Sequence, residues 1–308
     1  MRLSVLVLKA FRSFVSHKNR RYNDIENEYE IDKRIDKNVS MNIVRLGRHK
    51  KTGDIVAVKS VLKKSRIPSD QEEIVFKQMA HPSLVQLIDV FEDKKCVYFV
   101  MERCMGGDLV DLIEAFGGKL NQDVALTVFK QLVEAVNFMH SKAIVHSDLK
   151  PSNIMVSMPD LTVKVIDFGA SHIASSSGGI VPATQGSPEF MAPETIERSE
   201  IGFKSDIWAL GVILFIMLMG FSPFNPCGKP YVSVQSVLHC RIRCGFSNVI
   251  KKGFGAFFPE TVHVSSEMRS LLVSLLSFNP DDRPSTEMIL AHPLLKNHVQ
   301  IQMSHPAS

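Results

Sequence analysis

The sequence of 308 residues lacks a long apolar run, has few cysteines and carries little excess charge. A membrane-spanning helix needs about 18 consecutive apolar residues, and the run that comes closest, residues 209–221, is shorter. That run predicts a fully buried helix instead. The 5 cysteines are odd in number and irregularly spaced, which indicates a reducing compartment, so we expect a cytoplasmic protein. A formal net charge of +4 is too small to indicate a nucleic-acid partner.

The N-terminal segment, residues 1–28, differs in character from the rest of the chain. Its first 21 residues contain several lysines and arginines and no acid, and Leu3, Val7, Phe11 and Phe14 fall near helical spacing. This pattern favours a basic amphipathic helix. One interpretation is an extension that docks on the domain or has no fixed structure. The alternatives are contact with a membrane surface or a partner, and an organelle-targeting segment.

The pattern of secondary structure changes along the chain. Residues 54–59 and 97–101 are β-branched or aromatic runs that predict buried strands, and residues 69–79 predict a helix. Beyond residue 107 the pattern becomes helical, and residues 124–139 carry apolar side chains at intervals of three and four. We therefore predict a strand-rich region followed by a larger helical region, with no internal repeat.

Residues 146–153 (His-Ser-Asp-Leu-Lys-Pro-Ser-Asn) and 167–169 (Asp-Phe-Gly) are the most informative stretches. They resemble the catalytic loop and the metal-binding triplet of protein kinases. The resemblance covers about residues 29–298 and leaves a short tail, 299–308. It implies an α+β, bilobal kinase fold, with a small β-rich N-lobe at 29–101 and a large helical C-lobe at 102–298. It also implies an enzyme that uses ATP and Mg²⁺ and acts on protein substrates.

The resemblance also implies a role for each polar residue of these stretches. Asp148 would orient the substrate hydroxyl and accept its proton, and Lys150 would contact the γ-phosphate. Asn153 and Asp167 would hold Mg²⁺. Ser187 stands where the family usually has the threonine that bridges the base and the lysine.

The nucleotide would be bound by residues that match other kinase motifs. In Val-Ala-Val-Lys, residues 56–59, Lys59 would hold the α- and β-phosphates and pair with a helix glutamate. We favour Glu72 for that glutamate, and the adjacent Glu73 is the alternative. The remaining predicted ATP contacts are Ile35, Ile43, Ala57, Met101 as gatekeeper, Glu102, Cys104, Asp108 and Met155.

The phosphate loop departs most from the family. Alignment backwards from Lys59, with Ile43 capping adenine beside Ala57, places Asp36, Asn38 and Met41 where three glycines are expected. Glycine serves there because backbone amides must approach phosphate closely. We therefore expect the loop to hold phosphate weakly.

The catalytic loop has its own departure, because Ser147 stands where most members have arginine. That arginine pairs with a phosphate on the activation loop in members that have it. We therefore expect no obligatory phosphorylation of the loop, which here contains Ser175, Ser176, Ser177 and Thr184.

The helical region resembles serine/threonine kinases, most of all the calcium/calmodulin-dependent group. The matching stretches are residues 186–194, residues 206–211 and Arg283, and the family implies a buried structural ion pair between Glu194 and Arg283. The alternative function is a pseudokinase that acts as a binding scaffold, which the phosphate loop favours. Retention of Lys59, Glu72, Asp148, Lys150, Asn153 and Asp167 favours catalysis.

Overall fold

The computed structural model describes residues 25–32, 42–63, 69–174, 181–182, 187–224, 264–301 and 303. The chain divides into two compact units. The first contains Met1–His81 and Val85–Cys104, and the second contains Pro82–Leu84 and Met105–Ser308. The β-rich first unit and the helical second unit confirm the predicted α+β, bilobal fold class. The residue boundaries predicted for the lobes, the N-terminal extension and the tail stay predictions.

The first unit is built on a five-stranded antiparallel sheet in the order β1-β2-β3-β5-β4. Its strands are β1 (Tyr29–Ile31), β2 (Asn42–His49), β3 (Ile55–Leu62), β4 (Leu87–Glu92) and β5 (Cys96–Glu102). One face buries Val56 and Val58 against Ile25, Tyr29, Phe91 and Val100. Because side chains alternate along a strand, Ala57 and Lys59 lie on the opposite face.

Helix α1 (Ser69–Phe76) packs on the face of the sheet that carries Lys59. Lys59 is directly opposite Phe99 in the β3–β5 pair, and the rings of Phe99 and Phe76 lie 5.5 Å apart. The last residue of α1 thus packs on β5, and Glu72, nearer the start of the helix, contacts Lys59 of β3. The predicted strands at 54–59 and 97–101 and the predicted helix at 69–79 are confirmed, although the helix ends three residues early.

The second unit packs helices around two long central ones. Among the residues that the structure describes, its helices are α2 (Leu109–Ala115), α3 (Gln122–Ser141), α4 (Pro193–Arg198), α5 (Phe203–Met219), α6 (Ser266–Leu275), α7 (Thr286–Leu290) and α8 (Pro293–Lys296). Over the same residues, its short strands are β6 (Gly107–Asp108), β7 (Ile144–Val145), β8 (Ile154–Ser157), β9 (Thr162–Val165), β10 (His172–Ile173), β11 (Val181–Pro182) and β12 (Glu200–Ile201).

Helix α5 is buried from Ser205 to Met219, which confirms the buried helix predicted from its apolar run. It ends at Gly220, whose left-handed φ of 77° favours glycine, and a Cβ there would collide with the Gly118 carbonyl oxygen. Within the described ranges, no helix is long and apolar enough to cross a bilayer.

The ion pair between Arg283 and Glu194 is present and links α4 to the segment before α7. Two guanidinium nitrogens of Arg283 donate to the two carboxylate oxygens of Glu194, both at 2.8 Å. The other three N–H groups donate to the carbonyls of Ser277, Lys204 and Phe278, so all five donors of the guanidinium are used.

Replacing Arg283 by Met is expected to destabilise the protein by about 3–5 kcal/mol, because it leaves the Glu194 carboxylate buried without its cation. Urea unfolding measures the change. The matched control is Arg198→Met, which breaks the exposed pair with Glu200 and should cost less than about 1 kcal/mol. Equal losses in the two variants would contradict a special role for the buried pair.

Candidate active site

The loop at residues 146–150 is held by a carboxylate from the first turn of α5. Asp206 accepts the backbone N–H groups of His146 at 2.9 Å and Ser147 at 3.0 Å, and it also accepts His140 Nε2 at 2.9 Å. Ser147 has a left-handed φ of 70°, a conformation that costs free energy for a residue with a Cβ. The bonds from Asp206 to two successive backbone N–H groups stabilise this turn.

His146 is fully buried beneath the loop, with its ring 5.7 Å from that of Phe168. Burial lowers the pKa of this imidazole, although the carboxylates of Asp206, Asp148 and Asp167 act in the opposite direction. The neutral ring accepts the Asp148 N–H at Nδ1, at 3.3 Å. His146 therefore supports the backbone of the predicted base from inside.

Asp148 is the centre of a cluster of four polar side chains. One carboxylate oxygen accepts Lys150 Nζ at 2.6 Å and Asn153 Nδ2 at 3.3 Å, and the other accepts the Ser187 N–H at 2.8 Å. Lys150 Nζ also donates to Ser187 Oγ at 3.0 Å. The Asp148 side chain keeps 14% of its surface exposed, so a substrate hydroxyl can reach it. The carboxylate is oriented by three donors, and part of it remains exposed.

Asn153 and Asp167, the predicted metal ligands, lie on neighbouring backbone segments. The Ile166 N–H donates to the Asn153 carbonyl oxygen at 2.9 Å, and Asn153 Nδ2 donates to the Asp148 carbonyl oxygen at 2.9 Å. With its amide nitrogen turned to the loop, Asn153 presents Oδ1 on the other side. A carboxylate and an amide oxygen are hard oxygen donors of the kind Mg²⁺ takes, so these residues fit the ion.

In the first unit, Lys59 Nζ lies 2.6 Å from Glu72 Oε1, and each side chain is only 4% exposed. Glu73 instead pairs with Lys77, the residue that follows the end of α1. Of the two glutamates considered, the structure therefore places Glu72 against Lys59. The buried Glu72 carboxylate holds the Lys59 ammonium group in place as a point charge on the face of the sheet that also carries Ala57.

The register of β2 against β3 requires one correction. Ile43 was predicted to cap adenine together with Ala57 and Met155, but it is directly opposite Ser60 and therefore lies on the other face of the sheet from Ala57. Val44, opposite Lys59, and Leu46, opposite Ala57, share the predicted nucleotide face. Both have exposed apolar side chains, with 48% and 37% of their surface accessible. Val44 therefore replaces Ile43 as the apolar residue expected against adenine.

This correction also moves the predicted phosphate loop by one residue. Counted back from Val44, the three family glycines correspond to Lys37, Val39 and Asn42 rather than Asp36, Asn38 and Met41. Ile35, Asp36, Asn38 and Met41 lie outside the described residues. The same holds for Ser175, Ser176, Ser177 and Thr184 of the activation loop, so the expectation about its phosphorylation stays a prediction.

The other predicted nucleotide contacts are divided between the two units. Ala57, Met101, Glu102 and Cys104 belong to the first unit, and Asp108 and Met155 belong to the second. Met101 is buried opposite Ala57, and Glu102 Oε1 accepts the Gln86 N–H at 2.9 Å. The assignment of these residues to ATP stays a prediction.

Asp108 has a local contact that its motif did not indicate. Its Oδ1 accepts the N–H groups of Val110 at 2.8 Å and Asp111 at 3.0 Å, which caps the N-terminus of α2. Asp111 reciprocates by accepting the Asp108 N–H. The spacing of two acids before an apolar run is the signal of such a capping box.

Comparisons with known proteins agree with this geometry. Residues 39–295 match the protein kinase domain family, and the chain belongs to that family of eukaryotic serine/threonine protein kinases. It is 35% identical over 252 residues to CBL-interacting serine/threonine-protein kinase 15 of Arabidopsis thaliana, covering 79% of this chain and 55% of that protein. It is 31% identical over 301 residues to a probable myosin light chain kinase of Dictyostelium discoideum, covering 95% and 72%.

A third relative is sperm motility kinase 3A of Mus musculus, 34% identical over 255 residues, with 81% of this chain and 46% of that protein covered. The chain thus spans about half the length of two of these three relatives. The predicted grouping with the calcium/calmodulin-dependent kinases fits these comparisons.

Proposed function

We propose that this chain transfers the γ-phosphoryl group of ATP to serine or threonine hydroxyls of protein substrates, with Mg²⁺ as the metal ion. The observation that supports it best is the cluster of Asp148, Lys150, Asn153 and Ser187, in which an oriented carboxylate is accessible beside a lysine ammonium group. Phosphoryl transfer needs positioning and charge neutralisation more than covalent chemistry, and this cluster can supply both.

In the proposed reaction, the substrate hydroxyl oxygen forms a bond to the γ-phosphorus while the bond to the β–γ bridging oxygen breaks and ADP leaves. Asp148 orients the hydroxyl and accepts its proton. Lys150 neutralises charge on the transferred group, and Ser187 keeps Lys150 and Asp148 together by contacting both. Each of these residues is partly exposed, as contact with two substrates requires.

Asn153 and Asp167 would hold the metal ion. When bound, Mg²⁺ would neutralise negative charge on the phosphates. Lys59, fixed by Glu72, would contact the α- and β-phosphates, and Val44 and Ala57 would supply apolar contact to the base. Met101, Glu102, Cys104, Asp108 and Met155 are the further residues proposed to contact the nucleotide.

The test is transfer of ³²P from labelled ATP to a generic basic protein such as histone, followed by phosphoamino acid analysis. Phosphoserine or phosphothreonine that depends on added Mg²⁺ is the expected product. Folded protein that transfers no label would overturn the proposal, and phosphotyrosine as the sole product would overturn its serine/threonine part. A function as a binding scaffold alone is favoured by no observation among the described residues.

Location and further partners are also proposals. Cys96 and Cys104, the free cysteines of the described residues, agree with a reducing compartment such as the cytoplasm. Contact of the basic residues 1–21 with an anionic membrane or a partner is a separate proposal, and the segment lies outside the described residues. Sedimentation with phosphatidylserine vesicles tests the membrane contact. If the contact exists, the protein should sediment with the vesicles, and less of it should do so in high salt.

Restoring glycine at two positions of the corrected phosphate loop is expected to lower the Michaelis constant for ATP. Val39→Gly combined with Asn42→Gly removes two Cβ groups where amides must approach phosphate, and a gain of about 1 kcal/mol corresponds to about fivefold. The matched control is Asn38→Gly with Met41→Gly, the register predicted from sequence alone. The corrected register would be contradicted if the control variant had a lower Michaelis constant for ATP and the Val39→Gly/Asn42→Gly variant had an unchanged one.

A further inference from the structure

A short hairpin in the second unit carries the two proposed metal ligands at its open end. Its strands, β8 and β9, are antiparallel and pair along their whole length. Asn153 directly precedes β8, and Asp167 follows the end of β9 by two residues. Because paired strands move as one element, a restraint on the closed end of the hairpin also limits motion at the two ligands.

The turn that closes this hairpin has three successive carbonyl groups that accept hydrogen bonds from elsewhere in the second unit. The donors are the Met303 N–H to Pro159 at 2.9 Å, Gln300 Nε2 to Asp160 at 3.4 Å and Gln131 Nε2 to Leu161 at 2.8 Å. Leu161 is fully buried and has a left-handed φ of 52°, which costs free energy for a residue with a Cβ. The contacts around the turn stabilise this conformation.

Two of these three donors lie in the segment that follows α8, which we call the strap (residues 298–301 and 303). The strap is fixed to α3 by the buried hydroxyl of Thr127. Thr127 Oγ1 lies 2.8 Å from His298 Nε2 and accepts the Ile301 N–H at 3.4 Å. Lys130 of the same helix donates to the His298 carbonyl oxygen at 3.3 Å. The strap therefore contacts both α3 and the closed end of the hairpin.

We propose that the strap is a positioning element for the proposed metal site. By holding the turn between β8 and β9, it keeps Asn153 and Asp167 in the arrangement that binds Mg²⁺. The inference rests on the proposed function and adds a dependence of the metal site on residues that are far from it in the sequence. The strap supplies none of the proposed ligands, so its effect passes through the hairpin. Releasing the strap should increase local opening of the hairpin and weaken metal binding.

Thr127→Val tests the strap, because it replaces the hydroxyl by a methyl group of similar size and removes both strap contacts of that hydroxyl. Thr127→Ser keeps the hydroxyl and should behave like the unaltered protein. The matched structural control is Thr286→Val, the same change at an equally buried threonine, since each of the two side chains belongs to a residue that is 2% exposed. Thr286 Oγ1 donates to Asn137 Oδ1 at 2.7 Å and joins α7 to α3, so this control removes a comparable hydrogen bond that does not involve the strap.

Two measurements separate positioning from stability. Hydrogen exchange, read by mass spectrometry on peptides that cover residues 154–166, reports opening of the hairpin without any ligand. Electron paramagnetic resonance of Mn²⁺, used as the probe ion with a non-hydrolysable ATP analogue, reports metal binding without turnover. In Thr127→Val we expect exchange of the hairpin to be about fivefold faster and the dissociation constant for Mn²⁺ to be about fivefold higher. Thr127→Ser and Thr286→Val should stay close to the unaltered protein in both measurements.

Met303→Pro is an independent variant that gives a second test if Thr127→Val does not fold. It removes the N–H group that is donated to the Pro159 carbonyl oxygen and leaves α3 unaltered. It should show the same two changes, whereas Met303→Leu, which keeps the N–H group, should show neither. Thermal unfolding checks that each variant is folded.

Unchanged Mn²⁺ binding in folded Thr127→Val, with or without faster exchange, would overturn the inference and leave the proposed function intact. Equal losses in Thr286→Val would overturn it as well, because they would show a general effect of destabilisation. If the unaltered protein binds no Mn²⁺ together with the nucleotide analogue, the proposed metal site fails, and the inference about the strap fails with it.

Discussion

The Asp148→Asn protein is expected to phosphorylate a protein substrate about 10²- to 10⁴-fold more slowly than the unaltered chain, at the level of kcat. The carboxylate is the proposed acceptor of the hydroxyl proton, and an amide cannot accept it. The change also places an amide NH₂ group near Lys150 Nζ, which lies 2.6 Å from Oδ2 in the unaltered chain. Initial rates with labelled ATP and saturating substrate measure the effect.

Two observations make this result specific. Thermal unfolding of Asp148→Asn should change little, since the Asp148 side chain is partly exposed. Asp160→Asn makes the same chemical change at an exposed position of the same unit and should keep full activity. Equal rates in all three proteins would show that any kinase activity arises elsewhere.

Lys59→Met is expected to have two separable effects. Because Lys59 and Glu72 are both buried, removing the cation leaves the Glu72 carboxylate buried without its Lys59 contact and should destabilise the first unit by about 3–5 kcal/mol. It should also reduce kcat/KM for ATP by about 10²- to 10³-fold, because a positioned charge on the phosphates is lost. Urea unfolding measures the first effect and ATP-dependent rates measure the second.

The double variant Lys59→Met/Glu72→Leu separates the two effects. An apolar pair of similar size in place of a buried ion pair is often neutral for stability, so the double variant should recover most of the unfolding free energy. Activity should stay low, because the phosphate contact is still absent. Lys77→Met, which breaks the neighbouring pair between Glu73 and the partly exposed Lys77, should leave activity unchanged. Recovery of activity together with stability would indicate that Lys59 has only a structural role.

Much of the fold could be predicted because periodicity and spacing act locally. The apolar run in α5, the β-branched run in β3 and the alternation of hydrophobic residues in α3 each determine one element. Asp148, Lys150 and Asn153 could be placed together from the sequence because they lie within six residues, in a loop that leads into a short 3₁₀ helix. Ser187 could be assigned only through its resemblance to a family motif, since it is far away in the sequence.

The register of β2 could not be predicted in the same way. Without glycines at residues 33–42, the sequence offers no landmark for the start of the strand, and a shift of one residue exchanges the two faces. The pairing of Val44 with Lys59 shows which face each side chain occupies. The contact of His140 with Asp206 was missed for another reason, because it joins two helices that are distant in sequence.

The segment from Ser187 to Glu194 is anchored at both ends by side chains from elsewhere in the second unit. Ser187 is bound by Asp148 and Lys150, and Glu194 is held by Arg283 through two hydrogen bonds. Ordering a backbone residue costs about 1–2 kcal/mol of conformational entropy, so a segment ordered only on substrate binding would weaken that binding considerably. Here the ordering belongs to the folding of the second unit. A peptide substrate therefore meets a surface that is already shaped, and its binding energy remains available for bringing the hydroxyl into line with the phosphate.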